Sequence, residues 1–228
     1  MVASHVFEKL VQKLEDTGLA HLPGKLLYSG AETLTRGKLY VLGWNPGGDP
    51  RAESDSIAYH LTQLASKIPE WNEYCDGVWS PGGRRYAPGS APMQRRVRHL
   101  LASIEVPVRT VCASNVIFVR SRDSSYLDSP EKLAERCWPV HEFIFEQIRP
   151  QGVLSIGGAP VFEFICNRGT LLSDYEEFPS GHGTWKCVTA HVLLGAQRMT
   201  IVSVPHLARY AVDRHPEVIH WARIKLGL

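Results

Sequence analysis

Apolar positions along the chain change period from one segment to the next, and the changes mark its elements. Val6, Leu10, Val11 and Leu14 recur at helical spacing over residues 4–16, and the pattern stops at Gly18. Lys38 to Leu42 reads as a strand, continuously apolar from Leu39 to Leu42 as in a strand covered on both faces. "SDSIAYHLTQLASKI" predicts a helix capped by Ser54 or Ser56. Pro69 to Pro92 has no clean period and reads as one long loop rich in Gly, Pro, Trp and Arg. Helical spacing returns in "APMQRRVRHLLASI", where Met93, Val97, Leu100 and Leu101 share a face.

The second half continues this alternation. A strand in "VRTVCASNVIF" ends near Asn115, and a helix over 129–148 opens with Ser129 as cap and Pro130 at its first position. "GVLSIGG" predicts strand then turn, "APVFEFICN" a short helix, "WKCVTAHVLL" and "MTIVSVP" strands, and "PEVIHWARIKLGL" a closing helix. Strands separated by helices predict an α/β fold. We expect a three-layer α/β/α sandwich with a central, mostly parallel sheet of four to five strands, formed as a single domain over 1–228. In such a sheet ligands bind beyond the carboxyl ends of the strands. Four exits therefore define the candidate site: Gly43 to Gly47, Ser114-Asn115, Gly157-Gly158 and Val204-Pro205-His206.

Composition narrows the chemistry. The five cysteines form no CxxC pair, so reduced and mostly buried thiols are expected. No segment approaches membrane-spanning length, and the charged N-terminal helix resembles no targeting peptide, so a cytoplasmic protein is expected. The net charge is only +2, yet Arg84, Arg85, Arg95, Arg96 and Arg98 fall close together, with His99 following. That cluster is either a solvated helix face or a phosphate-contacting patch. A phosphate loop, a GxGxxG turn and a GxSxG elbow are all missing from the sequence, and its ten histidines are scattered. No metal or cofactor is expected, and the site must be built from amides and backbone.

Asparagine carries that chemistry. Two of the four asparagines in the chain, Asn45 and Asn115, stand at predicted strand ends. Each offers an acceptor and two donors without charge, enough to hold a water or read the edge of a base. Asn-Pro-Gly is equally a common turn initiator.

With these residues in view, "LYVLGWNPGG" resembles the first motif of the uracil-DNA glycosylase superfamily, whose mismatch-specific and single-strand-selective branches carry G-x-N-P-G after the first strand. "SVPHLARY" is similar to the second motif, "CASNVIF" to the strand whose asparagine reads the base, and "VLSIGGAPVFEFI" to a later strand and helix. The resemblance runs in order over about residues 38 to 228. It implies a monofunctional DNA glycosylase that flips out uracil or a 5-modified pyrimidine and hydrolyses its N-glycosidic bond, in base-excision repair or in defence against phage DNA. An inactive base-flipping relative and a small-molecule nucleosidase are the alternatives.

The resemblance also implies roles for residues. Asn45 holds the attacking water, Gly43, Trp44, Pro46 and Gly47 surround the base, and Asn115 binds its edge. The second motif departs from His-Pro-Ser: Val204 precedes Pro205, and His206 follows it as a displaced catalytic group or a phosphate contact. Pro205, Leu207 and Arg209 would enter DNA, with Leu207 or Arg209 as the wedge unless both are ordinary loop residues. A tyrosine that excludes 5-substituents in the uracil-specific branch is replaced by Gly47. Tyr86, inside the basic segment, is the first choice for stacking on the base, against the reading that Trp71, Tyr74, Trp79 and Tyr86 only anchor their loop. Arg84, Arg85, Arg95 and Arg96 would contact phosphates. The expected partner is DNA with a damaged or modified base, bound by a monomer associated with the nucleoid.

Overall fold

The computed structural model describes residues 2–228. Strands β1 (Leu39–Gly43), β2 (Cys112–Asn115), β3 (Gly152–Ser155) and β7 (Gln197–Ser203) pair in parallel in the order β2-β1-β3-β7. Their side chains alternate between two apolar clusters. Tyr40, Leu42, Cys112, Val153 and Ile201 point into one, and Leu39, Val41, Ala113, Leu154 and Val202 into the other. This alternation explains why the strands are apolar without interruption: both faces are covered.

Helices α1 (Val2–Asp16), α2 (Ile57–Ala65), α5 (Pro130–Ile148) and α6 (Ala159–Cys166) cover the first face; α4 (Pro92–Ser103) and α7 (Pro216–Leu226) cover the second. The fold is thus a three-layer α/β/α arrangement, as the strand and helix periods predict. Ser56 rather than Ser54 caps α2, its side chain accepting from the Tyr59 amide. Ser129 precedes α5 with a left-handed φ of 51° and no side-chain cap bond, so the expected cap is not formed.

The sheet is larger than expected. It has seven strands, because β4 (Thr170–Leu171), β5 (Glu176–Pro179) and β6 (Lys186–Leu194) extend it on the β7 side through antiparallel pairs. β4 and β5 are short and mostly exposed, so no apolar pattern announces them. Nor is 69–92 structureless. It contains α3 (Glu73–Asp76), and the buried Gln94 amide ties it to α4 by donating to the Glu73 and Gly77 carbonyls at 2.7 and 2.8 Å.

Four cysteines are buried and Cys75 is partly so, all unpaired. Among the described residues, no helix is long and apolar enough to cross a membrane.

Candidate functional site

Parallel pairing brings the predicted exits to one edge. Gly43 at the end of β1 stands opposite Asn115 at the end of β2, Leu42 opposite Ser155 of β3, and Ser155 opposite Ser203 of β7. A Cβ on Gly43 would lie 2.0 Å from Asn115 Oδ1, so only glycine lets that amide fold across the strand end. Asn115 also lies against the Tyr28 hydroxyl.

The turn after β1 is held by the irregular segment after β2. Asn45 Nδ2 donates to Ser121 Oγ at 2.8 Å and to the Pro46 carbonyl at 3.0 Å. The Ser121 amide donates to the same Pro46 carbonyl at 3.1 Å, and Arg120 donates to the carbonyl of Gly47. Arg120 is buried and also pairs with Glu53 at 2.7 Å. With its amino group thus engaged, Asn45 keeps its carbonyl oxygen as the end able to hold a water. Gly47 is exposed, its φ is not left-handed, and a Cβ there would meet nothing within 4 Å. Gly48 differs, with a φ of +118° and Glu53 and Arg120 crowding its Cβ position.

The loop after β7 is held mainly by apolar burial. Leu207 and Tyr210 are both 0% exposed, and the Tyr210 hydroxyl donates to the Ser180 carbonyl at 2.6 Å. Pro205 is buried as well. These positions correct two expectations: neither Leu207 nor Pro205 presents a side chain to DNA, because both are packed beneath the loop. His206 Nδ1 accepts from the Ala208 amide at 3.2 Å, which leaves the proton of the neutral ring on Nε2. Burial, and then the nearby Arg209 charge, lower its pKa, so the ring is neutral at pH 7 and Nε2–H is a donor. Arg209 is 70% exposed and pairs with Asp123 at 3.0 Å.

The basic cluster divides. Arg84, Arg85 and Arg95 are exposed. Arg96, by contrast, donates to the Leu207 and Ala208 carbonyls at 2.7 and 3.0 Å, and Arg98 to the Gly89 carbonyl at 2.8 Å. Arg96 is thereby corrected from a phosphate contact to a tie between α4 and the second loop. Trp44 packs its ring edge-on against Phe164, 6.3 Å away, so its side chain anchors the turn to the core. Tyr74 and Trp79 pack on Tyr28, which is the anchoring role; Tyr86 carries Arg84 over its ring at 5.0 Å.

Sequence reasoning missed the residues that support the site. Arg120, Ser121 and Asp123 lie far from Asn45 in the chain and in no regular element, so no period points to them. Glu73 is buried with Lys25 Nζ at 2.9 Å, Trp79 Nε1 at 3.1 Å and His60 Nε2 at 3.4 Å. Burial opposes its ionisation, but Lys25 and His60 hold its pKa well below the ordinary carboxylate range. An exposed aromatic, Tyr126 at 77%, follows Asp123 in a short turn.

Two surface cavities, of about 310 and 370 Å³, are lined by residues such as Arg98, Glu105 and Val106 and by Arg36, Lys38 and Leu39. The second lies where β1 begins, away from the edge where Gly43 stands opposite Asn115. Among the described residues, no group of three or more His, Cys, Asp and Glu side chains is arranged to hold a metal ion. A scan against protein-family models finds no match, and a search of curated proteins finds none either.

Proposed function

We propose that the chain is a monofunctional DNA glycosylase of the uracil-DNA glycosylase type, acting inside the cell as a monomer on uracil or a 5-modified pyrimidine in DNA. The observation that carries this reading is the Asn45 amide. Its nitrogen is spent on two protein acceptors, and its oxygen remains to orient a water at the edge shared with Asn115.

Hydrolysis of the N-glycosidic bond develops positive charge on the sugar and negative charge on the base. An uncharged amide is a weak base, so Asn45 contributes by placing the water, and the burden falls on donors aimed at the departing base. The Asn115 amide supplies such a donor, and the neutral His206 Nε2–H a second from the other loop. Open space at Gly47 admits a substituent at the 5-position. Exposed Arg84, Arg85, Arg95 and Arg209 supply phosphate contacts, and Tyr126 takes the wedge role that buried Leu207 cannot fill. No lysine occupies a motif position, so the product is an abasic site without strand cleavage. The biological setting is repair or defence against phage DNA.

The test is a panel of single- and double-stranded oligonucleotides bearing uracil, mismatched thymine or 5-substituted cytosines, scored for alkali-labile sites. Asn45→Ala should lower the rate roughly 100-fold, the scale of a misplaced reactant, with unchanged folding. Absence of cutting by the wild type refutes the reading and leaves an inactive DNA-binding relative or a nucleosidase; equal cutting by Asn45→Ala refutes the role of Asn45.

A further inference from the structure

We infer that Ser121 is a positioning residue that fixes which end of the Asn45 amide faces the attacking water; this rests on the glycosylase reading. The two ends of an asparagine amide have the same shape and opposite hydrogen-bonding character, so something must choose between them. Ser121 Oγ donates its proton to the Asp123 carbonyl at 2.8 Å. Toward Asn45 it therefore offers only a lone pair, which accepts from Nδ2 at 2.8 Å. The second contact of Nδ2, the Pro46 carbonyl, also only accepts. A flipped amide would set its oxygen against two oxygens with no proton between them. The amide is thus locked with nitrogen inward and oxygen free.

Ser121 is itself held rigidly. It is buried, its amide donates to the Pro46 carbonyl, and it bridges Gly47 in parallel pairing. The orienting group and the turn it orients are built as one unit, with Asp123 extending the unit to Arg209 of the second loop.

A double-mutant comparison tests this with single-turnover kinetics on the best substrate of the panel. Ser121→Ala should lower the rate about tenfold, the effect of one orienting hydrogen bond. Oligonucleotide affinity should not change, the melting temperature should fall by only a few degrees, and Ser121→Thr, which keeps the hydroxyl, should restore the rate. In an Asn45→Ala background there is no amide to orient, so the Ser121→Ala effect should vanish. An equal fall in both backgrounds, or no fall with Asn45 present, overturns the proposal.

A second measurement does not need activity. Exchange of the Asn45 side-chain NH₂ protons, followed by nuclear magnetic resonance, should be slow in the wild type and fast in Ser121→Ala. Equal exchange overturns the role of Ser121 even if the protein is a glycosylase. A protected amide in a protein that cuts nothing overturns the glycosylase reading, and the water-orienting role with it, while leaving the Ser121 contact standing.

Discussion

The loop after β1 and the loop after β7 leave the same edge of the sheet, yet they are held by different physics. The first is fastened by hydrogen bonds from Arg120 and Ser121 and carries an exposed glycine with empty space around it. The second is pinned by Leu207 and Tyr210, both fully buried. Hydrogen bonds fix direction at modest net energy, whereas apolar burial fixes position at a larger one. The first loop is therefore suited to aim a single amide. The second is suited to hold its backbone still while His206 and Arg209 project from it.

The largest effect expected from this contrast is at Leu207. Leu207→Ala should cost about 3 kcal/mol of stability through lost burial and the cavity left behind, read as a lower urea midpoint. A loss under about 1 kcal/mol would mean that the second loop does not depend on apolar anchoring.

Acid probes the first loop from below. His141 is buried, donates from Nε2 to the Val116 carbonyl at 3.1 Å, and accepts at Nδ1 from the Tyr40 hydroxyl at 2.9 Å. The Val116 amide in turn donates to the Gly43 carbonyl at 2.9 Å, where the first loop begins. Burial pushes the His141 pKa down from 6.5 to about 4. As pH falls below 6.5 the unfolded chain takes up this proton first, so the stability it governs is complete above 6.5 and is lost toward pH 4. The loss should approach about 3 kcal/mol and be much reduced in His141→Gln, as measured by urea unfolding across that range.

The smallest effect on stability, and the sharpest on specificity, is expected at Gly47. Gly47→Tyr should change stability by less than about 0.5 kcal/mol, as a surface substitution without steric conflict does. It should also abolish cutting of 5-substituted pyrimidines while sparing uracil. A large loss of stability would show that the turn needs its glycine after all.

The sequence made the sheet and the edge where its parallel strands exit legible because continuous apolar strands and strand-exit turns are local signals. Asn45, Asn115 and Gly43 were reachable that way. The Ser121 brace was not, since a hydrogen bond across 76 positions leaves no periodic trace. Leu207 misled for a related reason: an apolar residue in a polar loop reads as exposed, although Leu207, like Tyr210, is buried in the apolar cluster on the second face of the sheet. Arg96 and Arg95 are adjacent and chemically identical, and only the fold distinguishes the one that ties a loop from the one that faces solvent.

Gly47 and Gly48 are neighbours with opposite standing in the fold. Position 48 favours glycine, because a side chain at its φ of +118° would be strained and would have to displace the ends of Glu53 and Arg120. Gly47 is discretionary, since its φ is not left-handed and a Cβ there meets nothing within 4 Å. Position 47 can therefore be varied one residue at a time without the compensating changes that a core position would demand. Side-chain choice and foldability are separable in this turn, one residue apart.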